Sequence, residues 1–153
     1  MSQLDNKDLE ILSILQNDAT LTTKQLASRV HLSTTPVFER VRRLEREGYI
    51  RKYAAILDAD KLGKGFIVYC SVRLSRMGKD TAEDFVARVK DIPEVTECYN
   101  ISGEYDYIMK IHAPDMKYYQ QFLINVIGTI ESVGSVRSTF VMQEIKHNYG
   151  LSL

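Results

Sequence analysis

From Leu21 to Ile50 the apolar positions fall into two short bursts of helical spacing with a break between them. Leu26, Ala27 and Val30 share one face at i, i+1 and i+4, and Thr22 or Thr23 stands before them as a hydroxyl cap. His31 and Leu32 make the turn. Beyond it Ser33 can cap a second helix, Pro36 sits early enough in the first turn to cost no hydrogen bond, and Gly48 ends the helix after Glu47. Val37, Val41 and Leu44 recur at i, i+4 and i+7, so at about 100° per residue they form the buried stripe. Thr35, Glu39, Arg42 and Arg46 then lie roughly opposite, with Arg43 flanking that face and Arg40 nearer its edge. Upstream, Asp5 can cap a helix running to about Asn17, with Leu9, Leu12 and Leu15 or Gln16 on one side and Ile11 and Ile14 widening the stripe. The pattern predicts a three-helix core, followed by a β-prone short strand or wing over Tyr49 to Leu57 and a linker around Asp58 to Gly65.

After the linker the period changes from helical to alternating. Phe66 to Ser75 predicts a strand, Asp80 to Asp91 a helix with Phe85, Val86 and Val89 inward, and Val95 to Ile101 a second strand before a turn at Ser102 to Glu104. The order then repeats: Tyr105 to His112 as strand, Asp115 to about Ile130 as helix with Tyr119, Phe122, Leu123 and Val126 or Ile127 inward, and Val136 to Ile145 as strand. Two strand-helix-strand units give βαββαβ, whose usual solution is a ferredoxin-like four-stranded antiparallel sheet with both helices on one face. The expected architecture is therefore α+β, with residues 1–53 a winged helix-turn-helix domain, 54–65 a strand or linker, and 66–153 the sheet domain. Alternation places Ile67, Tyr69, Cys98 and Ile108 on the side opposite Val68, Val72, Tyr99 and Met109. Neither face is wholly polar, and an uncovered apolar sheet face predicts self-association.

Composition narrows the chemistry. Lys plus Arg and Asp plus Glu number 20 each, so the chain as a whole has no attraction for polyanions. The asymmetry is internal: from Ala19 to Tyr53 eight basic residues face three acidic ones, a local net charge of +5. A helix-turn-helix whose second helix carries several guanidiniums is suited to double-stranded DNA, where phosphates position the protein and base edges are read. Ser33, Thr34 and Thr35 stand at the helix start, where base edges are usually met, and Arg42, Arg43 and Arg46 follow for phosphate or guanine. Glu39 repels phosphate, yet a carboxylate can accept a bond from cytosine or pair with Arg42 or Arg43. A 44% hydrophobic chain with no long apolar run and no basic-then-apolar leader predicts a cytoplasmic protein rather than one inserted in a membrane or secreted. Cys70 and Cys98 lack metal spacing and His31, His112 and His147 are scattered, so no metal, cofactor or catalytic residue is expected.

The segments LDNKDLEILSILQNDA, QLASRVHLSTTPVFERVRRLEREGYI, Leu62-Gly63, ECYNISGEYDYIMKI and VMQEIK together resemble the Lrp/AsnC, or feast/famine, family of transcription regulators, over almost the whole chain. The resemblance implies a DNA-binding regulator whose sheet domains pair into homodimers that assemble further, often into octamers, with amino acids as the usual effectors. The family's Gly-x-x-Asp loop falls on Gly103, Glu104, Tyr105 and Asp106, where Gly103 suits a hairpin corner and Asp106 can meet an α-ammonium group. Taken alone, a glycine and an aspartate at a hairpin turn are turn chemistry far more often than a binding site. Alignment to the family also brings Ser138 near the ligand and Tyr99 beside the hairpin. Three positions depart from it: His31 replaces a turn glycine or asparagine, Glu39 occupies a position often basic or apolar, and Glu131-Ser132 replaces a Pro-Gly before the last strand. The competing readings are a low-specificity architectural DNA binder, a pure amino-acid sensor, and a haem-precursor decarboxylase, which shares the layout but needs a His/Arg cluster.

Overall fold

The computed structural model describes residues 4–153. The first three residues of the expected 1–53 domain lie outside that range. The chain divides into two compact units, one holding the chain up to Ile56 together with Lys146–Leu153, the other Leu57–Ile145. The last eight residues, expected with the sheet, thus join the helical unit.

The helical unit contains α1 (Asn6–Leu15), α2 (Thr23–Arg29) and α3 (Thr34–Arg46). Two reciprocal capping boxes start the first two helices: Asp5 with Asp8, and Thr22 with Gln25. Ser33 occupies the N-cap position of α3 in extended backbone, but its hydroxyl makes no capping bond. The turn between α2 and α3 closes with Leu32 N–H on Ala27 O at 3.0 Å and His31 N–H on Ser28 O, which leaves His31 in the left-handed region at φ 54°. Gly48 does the same service after α3 at φ 81°. Ile11, Leu26, Ala27, Val30, Val37 and Leu44 form the core, with Leu12, Ile14, Val41 and Ile50 packed on it. The predicted strand or wing over 49–57 does not form within this chain: residues 51–58 carry no regular structure and are mostly exposed. A β-prone sequence needs a second strand for its backbone bonds, and among the described residues none pairs with this one. At the other end of α1, the Gln16 side chain pairs both ways with Leu151, accepting its N–H at 2.8 Å and donating to its carbonyl at 2.9 Å.

The second unit contains β1 (Phe66–Leu74), α4 (Lys79–Val89), β2 (Val95–Asn100), β3 (Tyr107–Ala113), α5 (Met116–Asn125), a 3₁₀ turn (Ile127–Thr129) and β4 (Val133–Phe140). The strands make one antiparallel sheet in the order β2-β3-β1-β4. Val68, Cys70, Val72, Tyr107, Met109, Ile111 and Ala113 bury one sheet face against Phe85, Val89, Tyr119 and Phe122 of the helices. The helix expected to reach Ile130 stops at Asn125, and the 3₁₀ turn continues the apolar pattern because Ile127 and Ile130 still reach the core. The last strand begins at Val133 rather than Val136 and ends at Phe140 rather than Ile145. Its partner β1 starts at Phe66, so residues past Val141 have no ladder to join. At its start Gly134 sits opposite a bulge, where a Cβ would lie 2.8 Å from Leu74 O and Ser75 Cα, so only glycine lets the backbones approach.

One facial assignment reverses. Cys98 pairs with Met109, and Tyr99 with Ile108, so Tyr99 joins Ile67, Tyr69 and Ile108 on the face away from the helices while Cys98 turns to the helical side. A bulge between Val95 and Glu97 sets this phase, and a one-residue slip exchanges every side chain between faces.

Candidate nucleic-acid interface and effector loop

On α3 the core stripe points inward and a broad face stays free. Thr34, Thr35, Glu39, Arg42 and Arg46 are exposed. Arg42 is 66% exposed, stacks on Phe38 at 5.4 Å and keeps only a loose 3.6 Å contact with Glu45. Glu39 forms no ion pair among the described residues, so neither pairing imagined for it, with Arg42 or with Arg43, is made. Half-exposed Phe38 escaped the sequence reading because apolar residues were assigned to the core; its signal was its place about 100° off the Val37 stripe. An aromatic ring there can pack on a thymine methyl.

Arg43 departs from the expected set. Its guanidinium lies 2.5 Å from Asp8 Oδ2, and its side chain is 28% exposed. Arg40 donates to Asp8 Oδ1 and to Asp5 Oδ2, both at 2.7 Å. The bond to Asp8 and then that to Asp5 hold the Arg40 guanidinium pKa above its ordinary value, although burial opposes them. Both arginines lie on the flank of α3 that faces α1. Nothing local in the sequence announces this, because burial of the Asp8 carboxylate depends on how α1 and α3 pack.

In the sheet unit, Gly103, Glu104, Tyr105 and Asp106 come together in the β2–β3 hairpin. Gly103 stands at φ 118° with open space where a side chain would point, so its role is conformational. Asp106 is half-buried: its Oδ2 accepts the Leu74 N–H at 2.7 Å, its N–H reaches Val72 O, and its carbonyl takes bonds from Ile101 and Asn100. Turn chemistry is therefore real here, and no bond engages Oδ1 among the described residues. The Tyr105 ring lies between two guanidiniums, Arg73 and Arg137, each 5.6 Å from its centre. Arg73 is tied to the Glu104 carbonyl at 3.0 and 2.7 Å, whereas Arg137 makes no ion pair among the described residues. These arginines were missed, although each is a basic residue at the outward phase of an alternating strand.

Ser138 does not join this group. Register with Cys70 turns it to the helical side, where its hydroxyl bonds Tyr119 Oη at 2.6 Å. Tyr99 is 57% exposed on the other face, its hydroxyl donating to Glu97. Among the described residues no cluster of His, Cys, Asp or Glu can hold a metal ion, and no helix is long and apolar enough to cross a membrane.

A helix-turn-helix unit with a free cationic face, joined to a ferredoxin-like sheet domain, defines a two-part class of DNA-binding regulators. Comparison with known proteins sharpens the class. Residues 4–51 match the winged helix-turn-helix DNA-binding family and residues 67–151 the Lrp/AsnC ligand binding domain. The leucine-responsive regulatory protein of Salmonella typhimurium is 39% identical over 95% of this chain and 88% of its own, and that of Escherichia coli K12 is 38% identical over the same shares. A transcriptional regulator from Neisseria meningitidis, solved in complex with L-Met, superposes with a TM-score of 0.94 at 36% identity over 98% of this chain and 97% of its own. An AsnC family regulator from Agrobacterium tumefaciens gives 0.92 at 37% identity, covering 97% of each chain. The chain belongs to the Lrp/AsnC family of DNA-binding transcription regulators. These relatives are named as regulators.

Proposed function

We propose that the chain is a sequence-specific regulator of amino-acid-linked genes, governed by an amino-acid effector bound beside the Gly103–Asp106 hairpin where copies of the chain meet. The exposed face of α3 carries the DNA half of this reading: Ser33, Thr34, Thr35 and Phe38 stand toward its N-terminal half and Arg42 and Arg46 toward its C-terminal half, so bases and phosphates meet different residues. The effector half rests on Asp106, whose free oxygen suits an ammonium, on Arg137, whose guanidinium suits a carboxylate, and on the L-Met complex of the Neisseria relative. The face bearing Ile67, Tyr69, Tyr99 and Ile108 pairs copies into dimers, which assemble further. Two recognition helices then meet half-sites about one helical turn, or a multiple of it, apart.

Selection of bound duplexes from random sequence, with and without a mixture of amino acids, tests the reading directly. A recurring two-fold site, altered in occupancy by one amino acid, is expected; recovery of sequences indistinguishable from the starting pool would leave only the architectural role. Calorimetry with that amino acid on wild type and Asp106→Asn, which keeps the bond from Leu74 N–H, should show lost binding in the variant. Equal heats would remove Asp106 from the site.

A further inference from the structure

We infer that Asp8 is the positioning residue of the recognition helix: its buried carboxylate holds Arg40 and Arg43 on the protein and leaves Arg42 and Arg46 as the helix's cations for DNA. Asp8 is 0% exposed. Its Oδ1 takes Arg40 at 2.7 Å, and its Oδ2 takes Arg43 at 2.5 Å and the Asp5 N–H at 3.0 Å. A carboxylate taken fully out of water is tolerable only with such partners, so the two guanidiniums are required where they stand.

The geometry explains why α3 needs this in addition to its apolar stripe. Packing of Val37, Val41 and Leu44 is non-directional and tolerates a small roll of the helix about its axis. Arg40 and Arg43, three residues apart, project on one flank, and their convergence on a single carboxylate of α1 fixes that roll. The roll decides which side chains face a groove. It also sets the charge offered to DNA, because Arg43, whose buried Nε and Nη2 have no hydrogen-bond partner, is held by its ion pair with Asp8, and Arg40 bridges two carboxylates.

The counting of cations is measurable, since each phosphate neutralised contributes about 0.9 to the slope of log affinity against log salt. Fluorescence anisotropy of the full chain on a duplex selected by the wild type, across a salt series, reads it. Arg43→Gln should melt at a lower temperature and keep the wild-type slope, whereas Arg42→Gln should flatten the slope by about one. Asp8→Asn keeps an acceptor for Asp5 N–H but releases Arg43 and leaves Arg40 with Asp5 alone; its slope should steepen by about one, and its preference for the selected over a random duplex should fall several-fold. A purely structural Asp8 would lower the melting temperature without steepening the slope. Flattening by about one in Arg43→Gln overturns the inference, as does a folded Asp8→Asn with unchanged slope and preference. Where Asp8→Asn fails to fold, Arg43→Gln decides alone. The inference rests on the proposed DNA role of Arg42, and the two fail separately: an unchanged slope in Arg42→Gln rejects that role, while Arg43→Gln judges the hold of Asp8.

Discussion

At the scale of residues, two side chains occupy places that chemistry resists. His31 holds φ 54°, a region a β-branched side chain enters only with strain. His31→Val should cost about 1–2 kcal/mol by denaturant unfolding, while His31→Asn should be close to neutral. Cys70 is fully buried, and burial pushes its thiol up to about 11, above its ordinary 9.0. An unfolded chain loses that proton above pH 9 while the folded one keeps it until about 11. Proton release thus favours unfolding, and about 2–3 kcal/mol of stability should drain away across that window. Stability measured from pH 8 to 11 should fall less steeply in Cys70→Ala than in wild type, whatever the variant's starting value. The residue scale was also the least legible in the sequence. Asp8 went unremarked and Arg43 read as a DNA contact because burial of a charge depends on a partner helix that local pattern does not contain. The side of the sheet on which Ser138 stands was not legible, because its face is set by register with β1 rather than by its own strand.

At the scale of elements, the two helices of the DNA-binding motif start differently although both begin at a hydroxyl residue. Thr22 makes a reciprocal box with Gln25, and Ser33 makes no capping bond. Thr22→Ala should therefore cost about 1 kcal/mol by thermal or urea unfolding, and Ser33→Ala no more than a few tenths. Equal losses would mean that Ser33 caps in solution. The elements themselves were mostly legible: all five helices and four strands follow from periods of 3.6 and 2, with starts at Asp5, Thr22 and Asp115 marked by caps. What failed were ends and partners. The final helix was read too long because a 3₁₀ turn keeps Ile127 and Ile130 in phase with it, and the wing was read as a strand because β-propensity says nothing of whether another strand is beside it.

At the scale of the whole molecule, the sheet face away from the helices joins Ile67, Tyr69, Tyr99 and Ile108 in adjacent registers. If that face pairs copies of the chain, Tyr99→Glu combined with Tyr69→Glu, both at partly exposed positions, should leave a folded protein sedimenting at the mass of one chain. Sedimentation identical to wild type would place the interface elsewhere. The βαββαβ order was legible as a whole because two repeats of one pattern constrain each other, whereas the candidate effector loop was legible only through family resemblance, its glycine and aspartate being ordinary turn residues. Arg73 and Arg137 around Tyr105 come from strands far apart in sequence, so no local motif announces them.

The reciprocal bond between Gln16 and Leu151 gives the chain an unusual wiring. The polypeptide leaves the helical unit at Ile56, builds the entire sheet unit, and returns to finish where it started. In effect the sheet unit is inserted between two parts of the helical one. A protein cut after Ile56 would therefore keep α1, α2, α3 and their core but lose the Gln16–Leu151 pairing, and an alteration near the tail meets the end of α1, 135 residues away along the chain.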